Sequence, residues 1–125
     1  MIKRKKNQVL EKQYEEQGSC CYYCKRPIPY EDITRDHVLP VSKGHTLLNN
    51  KVFACRTCNN HKGDRSLEDF KKLMIRKACA ILKNVVAANF KMTEEEIYMF
   101  KYYTSVMKNL DQIRDSEGNI LLKFS

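Results

Sequence analysis

Asp36-His37, Asn50 and Asn59 supply the oxygen and nitrogen donors that bind a hard divalent cation and move a proton. The first pair lies in Asp36-His37-Val38-Leu39-Pro40, and Asn59 lies in Cys58-Asn59-Asn60-His61-Lys62-Gly63-Asp64. Two cysteine pairs, Cys21/Cys24 and Cys55/Cys58, frame them. Each C-x-x-C pair places two thiolates where one tetrahedral ion takes both, and two pairs close a four-sulfur shell with no open position for substrate. That Zn2+ is structural. It has no use for the oxygen and nitrogen donors, which need a second explanation. Cys20 lacks the two-residue loop spacing to Cys24, and Cys79 reads as helix core.

Short elements have to position these groups. Residues 7 to 17 have helix-compatible composition and stop at Gly18, a basic lead-in. Cys21 to Pro27 reads as a knuckle turn, and Ile33 to Leu39 as a strand stopped by Pro40, which places Asp36 and His37 at a strand end. Ser42 to Asn49, with Gly44, is a loop; Lys51 to Ala54 pairs back as a second strand; Arg56 to Lys62 follows as a short helix with Gly63 as its stop. Beyond Asp64 the period becomes helical. Leu67, Phe70, Met74, Ala78, Ile81 and Val85 form one stripe behind a capping-box-like Ser66/Asp69. Ile97, Phe100, Tyr103, Met107 and Leu110 form a second, behind Thr93 and Glu96. Ser116 to Asn119 is a turn, and Ile120 to Phe124 a short docking strand. The organisation is therefore a lead-in over 1–19, a zinc-braced core over 20–65 and a helical extension over 66–125, of class α+β. The helices either pack on the zinc module or pair as a homodimer.

With 125 residues the chain forms one domain or a small core with an appendage. About fifty residues around the cysteines bury too little apolar surface to be safe without the metal. Zinc binding supplies roughly 10 to 16 kcal/mol of apparent folding free energy in small zinc-finger peptides. The formal charge is +8. Four thiolates on one Zn2+ reduce it to roughly +6, so a polyanion is the natural partner. Much of the charge gathers at Lys3 to Lys6, Lys25, Arg26, Arg56, Lys62, Arg65, Lys71, Lys72, Arg76 and Lys77. The N-terminus lacks an apolar h-region, and the most apolar stretch, Ala78 to Phe90, is broken by Lys83 and Asn84. No membrane association is expected, and the location is cytoplasmic.

The order Asp36-His37-x-x-Pro40, Asn50-Lys51-Val52-Phe53-Ala54-Cys55 and Cys58-Asn59-x-x-Lys62-Gly63 resembles the HNH nucleases, a ββα-metal family that often carries a four-cysteine zinc site. The likeness covers roughly residues 20 to 65 and extends to the HNH module of RNA-guided CRISPR nucleases, without the rest of those enzymes. It implies a bacterial or phage-encoded endonuclease that hydrolyses phosphodiester bonds in duplex DNA, by nicking or by double-strand cleavage. His37 is then the general base, with an unperturbed pKa near ~6.5 that leaves imidazole largely neutral at pH 7. Asp36 and Asn59 hold the catalytic Mg2+ or Mn2+, with His61 as a further candidate ligand. Asn50 orients the loop carrying the base, and the products carry 3′-hydroxyl and 5′-phosphate ends. Arg56, Lys62, Arg65, Lys25 and Arg26 are the candidate nucleic-acid contacts. His45, where many relatives have a second glycine, reads as an exposed loop residue. DNA is favoured over RNA by the resemblance alone, because charge reads phosphates and not sugars. The rival reading is a non-catalytic zinc-ribbon module that binds nucleic acid. It needs zinc and basic charge, and has no use for Asp36, His37 and Asn59.

Overall fold

Gly18 takes φ +90°, a left-handed conformation that ends α1 (Gln8–Glu16) and turns the chain toward the cysteines. This is a computed structural model, and it describes residues 8–39, 50–114 and 117–122. Lys3 to Lys6, Pro40, the expected loop 42–49 with Gly44 and His45, Ser116 and Phe124 lie outside those residues. The chain divides into two compact units, Met1–Ser66 and Leu67–Ser125. The class is α+β, with a two-stranded sheet, four α-helices and a cysteine cluster among the described residues.

In the first unit α1 and the residue after it are bonded to the segments that carry the cysteines. The Tyr14 hydroxyl donates to the Ile28 carbonyl at 2.6 Å, and its ring stands edge-on to Tyr30 at 5.6 Å. Just past the helix, the Gln17 amide donates at 2.7 Å to the carbonyls of Cys20 and Phe53. Its oxygen accepts from the Phe53 N–H at 2.9 Å. One side chain thus satisfies both backbone groups of Phe53, as a neighbouring strand would. A bridge between Cys20 and Pro27 closes the first knuckle, and a 3-10 turn, Tyr30–Asp32, leads into β1 (Thr34–His37).

The strand β1 pairs antiparallel with β2 (Lys51–Ala54), with Asp36 opposite Val52 and His37 opposite Lys51. It ends at His37, two residues short of the expected Leu39. Past that point the chain is held by Asn50, whose backbone oxygen accepts from the Val38 N–H at 2.8 Å. The helix α2 (Arg56–Lys62) matches its expected span. The Cys55 sulfur caps it by accepting from the Cys58 N–H at 3.4 Å, and Gly63 at φ +51° ends it. Strands and helix together make a ββα core around buried Cys21, Tyr23, Ile28, Ile33, Phe53, Ala54 and Cys58.

The second unit is a hairpin of α3 (Leu67–Ala87) and α4 (Glu94–Leu110). The expected stripe on α3 is buried at Leu67, Phe70, Met74, Ala78 and Val85. Cys79, expected in the core, is exposed, because it lies about 100° round the helix from Ala78. A Schellman closure ends α3. Asn89 donates to Val86 at 3.2 Å and Phe90 to Val85 at 2.7 Å, with Asn89 at φ +56°. Thr93 and Glu96 form the expected capping box of α4. The buried face of α4 is turned relative to the expected stripe: Tyr102, Tyr103, Val106 and Leu110 are inside, whereas Ile97 is 39% exposed. Apolar residues occur nearly all round this helix, so periodicity alone does not fix its inner face. The expected strand from Ile120 is reduced, among the described residues, to a bridge between Arg114 and Ile120. No described helix is long and apolar enough to cross a membrane.

Candidate metal centre and active site

The sulfurs of Cys21, Cys24, Cys55 and Cys58 lie within 4.8 Å of one another, with Cys24 and Cys55 at 3.8 Å. A tetrahedral Zn2+ with bonds of about 2.3 Å places its sulfurs about 3.8 Å apart, so the cluster fits that ion. Backbone N–H groups already point at the sulfurs. Those of Tyr23 and Cys24 reach Cys21 at 3.4 and 3.5 Å, and that of Cys58 reaches Cys55. Without a cation the four groups cannot all ionise. Hydrogen bonds, first from Cys24 and then from Cys55 and Cys58, hold Cys21 far below the usual thiol range. Contact with Cys21 first, then with Cys24 and Cys55, drives Cys58 far above it. A bound Zn2+ would resolve this conflict by taking all four as thiolates.

Asp36 lies next to this cluster through Tyr23, the residue before Cys24. The Tyr23 side chain is fully buried, and its hydroxyl donates to Asp36 Oδ2. Burial first, and the Asp36 charge second, push the phenol well above its ordinary range, so it stays a proton donor. Lys62 is 1% exposed and Asp36 6%. The Lys62 Nζ stands 3.1 Å from the same Oδ2 and donates to the His37 carbonyl at 2.6 Å. Both contacts fall on Oδ2, and among the described residues Oδ1 has no hydrogen-bond partner.

His37, next along β1, keeps its Nε2 buried and, among the described residues, without a hydrogen-bond partner. Such an atom costs about 1–3 kcal/mol and calls for a reason, a catalytic role or a bound water or ion among them. Asn50 closes the other side of this turn. Its Oδ1 accepts from the Leu39 N–H at 2.8 Å, and its Nδ2 donates to the Leu39 carbonyl at 2.7 Å. Together with its backbone bond to Val38, it clamps the segment directly after His37.

The helix α2 packs against β1 and carries Asn59, whose side chain makes no hydrogen bond among the described residues. A carboxylate oxygen and an amide oxygen left without partners are hard donors that fit Mg2+ or Mn2+. His61 turns its Nδ1 back to the Thr57 carbonyl at 2.8 Å, which gives it the donor tautomer at that nitrogen. Among the described residues, the four cysteines are the one group of three or more Cys, His, Asp or Glu side chains gathered closely enough to hold an ion. His61 is not brought into a second group of that size.

The basic residues divide. Arg56 is exposed in the first turn of α2. Arg65 is exposed and donates to the His61 carbonyl at 2.8 Å, at the end of the same helix. Lys25 is exposed with its Nζ 4.8 Å from the centre of the Tyr22 ring, and Arg26 is half-buried. Lys62 departs from expectation: its ammonium is spent on Asp36 and His37 inside the fold, so in this arrangement it does not face a phosphate. Lys71, Lys72, Arg76 and Lys77 belong to the second unit, where Lys71 pairs with Asp111 at 2.6 Å. Tyr23 and Gln17 were missed at the sequence level. For Lys62 a signal existed, because it follows Cys58 of the cysteine cluster by four residues and so shares its inward helix face.

A family model described as HNH endonuclease matches residues 21–74, from the first knuckle through α2 into α3. Comparisons with curated proteins and with solved structures return no match.

Proposed function

We propose that this protein is a divalent-metal-dependent nuclease that hydrolyses phosphodiester bonds in duplex DNA, because residues 21–74 match a family model described as HNH endonuclease. The observation that carries the reading is His37. It holds a buried Nε2 with no hydrogen-bond partner among the described residues at the end of β1, directly after Asp36 and directly before the segment clamped by Asn50. In the proposed reaction His37 takes the proton of the attacking water. Asn50 holds the turn that aims the imidazole, and Asp36 Oδ1 with the Asn59 amide oxygen would hold Mg2+ or Mn2+. That ion, when bound, supplies positive charge to the phosphate and leaving oxygens as negative charge develops there. Arg56 and Arg65 bind flanking phosphates, and the products carry 3′-hydroxyl and 5′-phosphate ends.

Supercoiled plasmid incubated with zinc-loaded protein and Mg2+ or Mn2+ tests this reading. Nicked or linear product that needs the added divalent ion is expected. Plasmid binding without cleavage under those conditions would favour a zinc-ribbon module that only binds nucleic acid.

A further inference from the structure

Lys62 bears on how the divalent ion is taken up, and this step rests on reading Asp36 and Asn59 as its ligands. The ammonium is 1% exposed and pinned between Asp36 Oδ2 at 3.1 Å and the His37 carbonyl at 2.6 Å. It is a resident charge shut off from solvent. Tyr23 occupies the same Oδ2, so the protein offers an incoming ion only Oδ1 of a carboxylate that already has a counter-charge. The remaining donors are uncharged: the Asn59 amide, and an imidazole that must be neutral to act as base. The side-chain charges in direct contact at Asp36 therefore cancel, one carboxylate against one ammonium. A divalent cation gains little from such a site in the free protein and meets repulsion from Lys62 at short range. A phosphodiester bound beside it supplies the missing negative charge and further oxygen ligands.

We propose that Lys62 keeps the divalent-ion site electrically balanced in the free protein, so that the ion is taken up together with the nucleic-acid phosphate and only weakly before it. Lys62 is in this sense an electrostatic gate on metal uptake and not a phosphate contact. The coupling is reciprocal: the ion tightens nucleic-acid binding by the same factor by which the nucleic acid tightens the ion.

The test titrates Mn2+ into zinc-loaded full-length protein carrying His37→Ala, which keeps substrate intact, and follows unbound Mn2+ by electron paramagnetic resonance, with and without a short DNA duplex. The duplex should tighten Mn2+ binding by at least ~10-fold. Adding Lys62→Met or Lys62→Gln should tighten Mn2+ binding in the absence of duplex by ~10-fold or more, because the repelling charge is gone. Adding Tyr23→Phe, which alters no charge, should not. Mn2+ affinity that is indifferent to duplex, or that falls or stays level in the Lys62 variants, overturns the proposal. Loss of zinc from both Lys62 variants also overturns it, by making Lys62 a folding residue. No Mn2+ uptake under any condition overturns the metal site itself, and with it the nuclease reading; duplex-independent uptake leaves that reading standing.

Discussion

At the residue scale, the ammonium of Lys62, the phenol of Tyr23 and the carboxylate of Asp36 form a small polar interior beside the cysteine cluster. Buried charge of this kind persists only when paired and hydrogen-bonded. The candidate site residues were legible as residue types at fixed spacing: Asp36-His37, Asn50, Asn59 and the four cysteines. The residues that hold them were not. Nothing in Cys21-Tyr22-Tyr23-Cys24 says which tyrosine turns inward, and a lysine in a basic stretch reads by default as solvated. Asn50 belongs to both groups, since its amide makes two hydrogen bonds to Leu39. Asn50→Ala should cost about 2 kcal/mol in urea unfolding of the zinc-loaded protein, because two backbone groups lose their partner. It should also depress cleavage. An unchanged unfolding midpoint would mean that the clamp contributes nothing.

At the element scale, β1, β2 and α2 are each too short to be stable alone and exist as a set. β1 brings Asp36 and His37 to the strand end, α2 brings Asn59, and the Cys55 cap that starts α2 is also a candidate zinc ligand. Their spans were legible because cysteines, glycines and prolines punctuate this part of the chain. The inner face of α4 was not, because Tyr102 and Val106 compete with Phe100 and Met107 for burial, and only packing against α3 decides between them. Local chemistry at the start of α4 was readable all the same, as the Thr93–Glu96 capping box. Thr93→Ala should lower the stability of the helical hairpin by about 1 kcal/mol. A thermal melt of that variant indistinguishable from wild type would contradict the cap.

At the scale of the whole molecule, the cysteine cluster and the candidate active site lie in one compact unit and the helical hairpin in another. Stability should therefore be divided. Stripping zinc should unfold β1, β2 and α2, since the apparent ~10 to 16 kcal/mol that such an ion supplies exceeds what their small core provides. The helices α3 and α4, with their own buried seam, should remain. Far-ultraviolet circular dichroism after chelation is expected to keep most of its helical signal, and a complete cooperative loss would show that the hairpin depends on the zinc unit. The central claim concerns His37. Supercoiled plasmid should be incubated with Mg2+ or Mn2+ and with wild-type or His37→Ala protein, each shown to hold one zinc per chain. Cleavage by wild type and a loss of at least ~100-fold in His37→Ala are expected for removal of a general base. Equal cleavage by the two proteins would contradict it.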